Sequence, residues 1–227
     1  MPPHPLVDLL RAAADGRPPE PDGRVEVLAP APGPVDGVLG FPFHHVVVAE
    51  VEPDLVFGRL SSSDIGDIGA PLKAPFLIWL AGWLGSSPGS LDLVLVAPSE
   101  PTAATVPVVP RLDLPDHPRV RRAAAYRHEP ATYADPSGAG VVIVGRGLAG
   151  RWEVAFEVSP DARGRGLGRK LAATAVTLRP DGEPLFAQVA PANIPSLRAL
   201  LGAGYRPIGA EVLFPKARAA RARAATT

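Results

Sequence analysis

Two groups of residues in this sequence have the types and spacing to do chemistry, and they lie close together in the chain. The first is a pair of carboxylates, Glu153 and Glu157, on the alternating run RWEVAFEV. Its two-residue period predicts a half-buried strand, with Trp152, Val154, Phe156 and Val158 on one face and Arg151, Glu153, Ala155 and Glu157 on the other. The second is a basic, glycine-rich stretch: Arg163, Gly164, Arg165, Gly166, Leu167, Gly168 and Arg169. Its glycines let the backbone turn N–H groups outward and approach a bulky group closely. Leu167, Leu171, Ala175 and Leu178 follow at helical spacing, so those N–H groups fall at a helix N-terminus, where the dipole favours an anion. Strand, basic glycine loop and helix together predict a phosphate cradle.

Spacing decides which cradle. A Walker A loop needs G-x-x-x-x-G-K-[ST], but the fifth residue after Gly164 is Arg169. A dinucleotide turn needs G-x-G-x-x-G, and after Gly164 and Gly166 the third glycine position also falls on Arg169. A second stretch, Gly145-Arg-Gly147-Leu-Ala-Gly150, does match G-x-G-x-x-G and follows the apolar run Val141 to Val144. What comes after it is the alternating strand instead of a helix, so the expected element is a loop joining two antiparallel strands. The histidines lack metal-ligand spacing: His44 and His45 are adjacent and face opposite ways in a strand, while His4, His117 and His128 are scattered. Ser61-Ser62-Ser63-Asp64 has no nucleophile-elbow glycines around it and reads as a loop or helix cap.

What the glycine loop does match is [R/Q]-x-x-G-x-[G/A], through Arg163, Gly166 and Gly168. With the strand before it and the helix after it, this segment resembles the GCN5-related N-acetyltransferase (GNAT) superfamily, whose members bind the pyrophosphate of acetyl-CoA with this loop. Asn193 and Gly204-Tyr205 are similar to the family's second signature. The resemblance implies an acetyl-CoA cosubstrate, no metal, and a small-molecule or protein amine as acceptor. It further implies a pyrophosphate site on Arg163, Gly164, Arg165, Gly166, Leu167, Gly168 and Arg169, and a pantetheine path along Phe156, Glu157 and Val158. Asn193 would face that arm. For the base that strips the acceptor's ammonium proton, the resemblance points first to Glu153 and second to Glu157; the competing reading makes both solvated carboxylates that pair with Arg151 or Arg146 across a hairpin. Many family members carry a tyrosine acid where this chain has Leu200, and Tyr205 stands at a position usually given to packing. An acyl-CoA-binding regulatory protein with weak or lost catalysis is therefore the alternative function.

The elements that must position these groups are legible as periodic segments. Helices are expected near residues 6–14, 53–60, 73–84, 120–125, 167–178 and 193–201. Strands are expected at 25–28, 35–39, 45–51, 91–97, 126–133, 140–144, 151–158, 185–189 and 211–214. The fold class is α+β (α/β), with a GNAT-like, mixed and mostly antiparallel sheet flanked by helices in the C-terminal half. Six prolines between Pro98 and Pro118 mark a boundary. The expected division is an N-terminal α/β region over 1–110, an acetyltransferase-like domain over 111–216 and a basic Ala/Arg tail over 217–227. The N-terminal region lies outside the resemblance and has no assigned role; a degenerate acetyltransferase-like half and a substrate-side lid are both open to it.

Composition narrows the classes further. Lys plus Arg and Asp plus Glu number 23 each, so overall charge points to no polyanionic partner, and no nucleic acid is expected. With no cysteine there is no disulfide framework and no thiolate nucleophile. No apolar run approaches the roughly 18 residues of a membrane span, and the first residues lack the pattern of a signal peptide. A cytoplasmic protein without a membrane partner is expected; the oligomeric state stays open, and the resemblance is compatible with a homodimer.

Overall fold

A computed structural model describes residues 3–60, 67 and 69–216. Most of the polar stretch over 61–69, and the basic tail over 217–227, lie outside the described residues. In chain order the elements are α1 (Pro5–Ala14), β1 (Val25–Leu28), β2 (Val35–Phe41), β3 (His44–Val48), α2 (Pro53–Arg59), α3 (Ala74–Leu84), β4 (Leu91–Val96), β5 (Val109–Pro110), α4 (Pro118–Tyr126), β6 (His128–Ala134), β7 (Gly140–Arg146), β8 (Trp152–Val158), α5 (Leu167–Ala175), β9 (Leu185–Val189), α6 (Ile194–Gly202) and β10 (Arg206–Pro215). From α4 onward this is helix, hairpin, strand, glycine loop with helix, strand, short helix, strand, the order that the GNAT resemblance implies.

The chain forms two compact units. One takes in residues up to 93, residues 148–150 and the chain from 208 onward; the other takes in 94–147 and 151–207. The sequence-based division at 110 differs from this in two places. The proline-rich run belongs to the second unit: Arg179 Nη1 donates to Pro98 O at 3.1 Å, and Val106 N donates to Thr174 Oγ1 at 3.0 Å. The end of the chain, in turn, supplies a strand to the first unit.

In the first unit the strands run in the order β1-β3-β2-β10. β3 is interior, paired parallel to β1 (Val27 with Val47) and antiparallel to β2 (Val38 with Val47), as its unbroken valines require. Residues 210–215 of β10 run antiparallel along β2, placing Val212 beside Val38. Val38, Val47, Val212 and Phe214 pack with Val56 of α2 and with Phe76 and Leu80 of α3 into one core. His44 and His45 are both buried; His44 Nδ1 pairs with Asp22 Oδ1 at 3.0 Å.

In the second unit the order is β4-β9-β8-β7-β6-β5. β6, β7 and β8 form an antiparallel meander, and β9 joins β8 in parallel. Helices cover both faces. Ala123 of α4 packs with Val141, Ile143 and Ala155. α5 lies on the opposite face, where a Cβ at Gly140 would meet Leu171 and Leu167, and one at Gly168 would meet Phe156, Val158 and Ala199 of α6. The helix expected over 167–178 is α-helical to Ala175 and tightens to a 3-10 turn over Val176–Leu178. No helix among the described residues is long and apolar enough to cross a membrane.

Candidate functional site

β8 and β9 pair only at their beginnings, Trp152 with Leu185, Glu153 with Phe186 and Val154 with Ala187. Beyond that step Ala155, Phe156, Glu157 and Val158 have no partner on β9 among the described residues, so the two parallel strands part. Past the open end of β8 the chain turns through Pro160–Ala162 and reaches the loop of arginines and glycines. Gly164 and Gly166 have φ of 75° and 79°, and Gly166 is the N-cap of α5. That left-handed conformation costs a Cβ-bearing residue roughly 1 kcal/mol or more, which is why glycine stands at both turns.

The helix N-terminus this creates is bare. No side chain caps α5, and the first backbone bond into the helix runs from Lys170 N to Gly166 O at 3.2 Å. The N–H groups of Leu167, Gly168 and Arg169 therefore lack intrahelical acceptors. Arg163, Arg165 and Arg169 are exposed around them, with Arg163 anchored by Nε to Val158 O at 3.2 Å. Unsatisfied donors, a helix dipole and three guanidinium groups at the open end of parted strands suit a phosphate. The structure thus brings together Phe156, Glu157, Val158 and the residues from Arg163 to Arg169. Asn193 is the N-cap of α6, with its Oδ1 accepting from Ser196 N at 3.3 Å.

The two carboxylates of β8 fare differently. Glu153 pairs with Arg151, as the competing reading has it, but it is not solvated: it is 1% exposed and held between two buried guanidinium groups. Arg127 Nε lies 3.0 Å from its Oε2, and Arg151 Nε donates to its Oε1 at 2.8 Å. Arg127 is fixed in turn by Nη2 donating to Gln188 Oε1 at 3.0 Å. Both oxygens of Glu153 are thus taken up. Glu157, four residues further along the same face, is half-buried and has no ion pair among the described residues.

Close packing accounts for Gly145 and Gly147. A Cβ at Gly147 would sit 2.0 Å from the Glu153 carboxyl carbon, and one at Gly145 would come within 3.1 Å of His128 O. The stretch is the β7–β8 connection, where Gly147 leaves room for the buried carboxylate, Gly145 lies against the backbone of His128 and Pro130, and Gly150 takes a φ of 80°. Arg127 and Gln188 escaped the sequence reading. The signal that points to them is the pair of glycines facing Glu153 across the hairpin, which implies that something bulky lies beneath.

Neither Leu200, at the family's acid position, nor Tyr205, at the packing position, offers a free phenol. Leu200 is buried, and Tyr205 donates its hydroxyl to Ala172 O at 3.0 Å within the core. Burial pushes the Tyr205 pKa well above its ordinary value of 10.0, with the charge of Arg179 opposing only in part.

No family model matches the sequence, and no curated protein is significantly similar to it. Among solved structures, an acetyltransferase of the GNAT family from Colwellia psychrerythraea matches at 14% identity, over 63% of each chain, with a TM-score of 0.39. A protein from Novosphingobium aromaticivorans assigned to the same family matches at 18% identity, over 55% of this chain and 63% of its own, with a TM-score of 0.41. A conserved protein of unknown function from Staphylococcus epidermidis matches at 15% identity, over 61% and 66%, with a TM-score of 0.38. The matched region spans less than two thirds of each of these chains.

Proposed function

We propose that the second unit binds acetyl-CoA and transfers its acetyl group to a primary amine. The observation that carries this reading is the bare N-terminus of α5, set behind Gly164 and Gly166 at the open end of the parted strands β8 and β9. An extended thioester arm matches the gap between strands that no longer pair, and a pyrophosphate matches three unsatisfied N–H groups ringed by arginines. When bound, the thioester supplies an activated acyl group. The chain's own task is to hold it and to remove the proton that keeps the acceptor nitrogen from attacking.

For that proton the geometry favours Glu157, which the notion of a strand glutamate placed second. It is accessible, lies on β8 beyond the last β9 pairing, and carries no competing guanidinium among the described residues. Glu153 would serve by fixing Arg127 and Arg151 beneath the strand. With Leu200 and Tyr205 locked in the core, the departing thiolate takes its proton from water.

Calorimetric titration with acetyl-CoA tests the cradle. Micromolar binding, about −8 kcal/mol, is expected for the unaltered chain, and Arg165→Glu with Arg169→Glu should weaken it at least about tenfold. Both side chains are exposed, so the fold should be untouched. Absence of binding by the unaltered chain would overturn the reading. Binding without thiol release across a panel of amines would favour the acyl-CoA-binding alternative, for which the missing phenol is the observation in hand.

A further inference from the structure

In the first unit, α3 has no charged or polar side chain over its whole length, Ala74 to Leu84. One face is spent on the core through Phe76 and Leu80, but Ile78 is 68% exposed and Trp83 52% exposed. α2 lies antiparallel beside it: Trp83 Nε1 donates to Glu50 O at 3.1 Å just before α2 begins, and Arg59 Nη2 at the end of α2 reaches Pro75 O. Leu55 and Phe57 of α2 add two more exposed apolar side chains. A helix that is apolar all round belongs in an interior, and several large apolar side chains exposed on one helix pair mark an interaction surface.

The charges at the rim say what covers it. Glu50, Glu52 and Asp54 are exposed at one end of the helix pair, and none of them has an ion pair among the described residues. Arg59 and Lys73 lie at the other end, where Asp67 holds Lys73. A patch that is acidic at one end, apolar in the middle and basic at the other is complementary to itself when turned end for end, as a twofold axis requires. The small residues agree. About Ile78, Ala74 and Gly82 stand one turn before and one turn after, so in an antiparallel pairing Ala74 of one helix meets Gly82 of the other. Nothing among the described residues asks for glycine at 82: its φ is not positive, and a Cβ there would meet none of their atoms within 4 Å. A mid-helix glycine costs up to about 1 kcal/mol against alanine, a cost that close approach of a second helix explains.

We propose that α2 and α3 form the contact surface of a twofold homodimer, α3 against the partner's α3 and α2 against the partner's α2, both antiparallel. Ile78 lies at the axis, and the partner's Arg59 faces Glu50, Glu52 and Asp54. The proposal is independent of the acetyl-transfer reading, which concerns the other unit.

Sedimentation equilibrium of the full chain tests it. At concentrations of some tens of micromolar, ample for an interface of ordinary size, the unaltered chain should be a dimer. Ile78→Glu should be a monomer with an unchanged circular dichroism spectrum, since that side chain projects from the protomer. Glu50→Arg and Arg59→Glu should each weaken dimerisation about tenfold, and the double exchange should restore it, because each acid would again face a base. A chain that is monomeric throughout, a dimer that survives Ile78→Glu, or a double exchange that fails to restore association would each overturn the proposal. The first of these would leave the patch to a partner of another kind.

Discussion

Glu153 and Glu157 share a strand, a face and a chemical type, yet one is buried in an ion cluster and the other is half-buried with no ion pair among the described residues. Glu153 is enclosed by Arg127 and Arg151, and removing one member of a buried ion cluster leaves an uncompensated charge. Glu153→Ala should therefore lower the free energy of unfolding by about 3 to 5 kcal/mol, read as a large drop in the urea midpoint. Glu157→Gln should shift stability by no more than about 0.5 kcal/mol, while slowing acetyl-CoA-dependent thiol release. A Glu153→Ala protein that unfolds at the unaltered midpoint would show that the cluster is not structural; unchanged turnover in Glu157→Gln would remove it as the base. The sequence disclosed the type and register of both side chains. It did not disclose the burial of Glu153, because Arg127 and Gln188 reach it from other elements, and no local period records a contact between distant segments.

At the scale of elements, local chemistry was readable wherever a turn or cap is built from neighbours in the chain. The expected β6–β7 hairpin closes on Asp135, whose carboxylate accepts from Ser137 N at 3.1 Å, from the Ser137 hydroxyl and from Gly140 N at 2.5 Å. Burial pushes the Asp135 carboxyl up, but these hydrogen bonds outweigh it and hold the group below its ordinary value of 3.8. A carboxylate lowered in the folded state stabilises fully above its unfolded pKa and loses that contribution as pH falls through the folded value. Thermal stability of the unaltered chain should thus fall on acidification below 3.8, and the fall should be shallower in Asp135→Asn, which is less stable at neutral pH. Parallel curves for the two proteins would show that another group carries the acid sensitivity. The bounds of β10 were less legible. Glu211 to Phe214 stood out as a strand, but the pairing of residues 210–215 with β2 extends it. That extension comes from a ladder formed with residues near the start of the chain, where propensity gives no hint.

For the molecule as a whole, the order of elements in the second unit could be read from the sequence, but the division of the chain could not. Proline enrichment from Pro98 to Pro118 suggests a linker, yet Arg179 and Thr174 tie that run into the second unit, where stiffness serves a strap as well as a spacer. The first unit is discontinuous: its core draws Val212 and Phe214 from the far end of the chain, and Gly89 N donates to Leu213 O at 2.8 Å. A fragment of residues 1–93 therefore lacks one strand of its sheet and leaves an edge of β2 and the core beneath Phe214 open. Losing a fully buried phenylalanine alone costs about 3 to 5 kcal/mol, a large part of the 5 to 15 kcal/mol that holds a typical domain. The fragment should show no cooperative unfolding transition and a poorly dispersed amide spectrum. Supplied in trans with a peptide covering residues 205–216, it should gain both, since the peptide returns the strand and the two core side chains together. A fragment that folds cooperatively without the peptide would mean that the first 93 residues hold a complete core, and that β10 is an addition to that unit instead of a part it depends on.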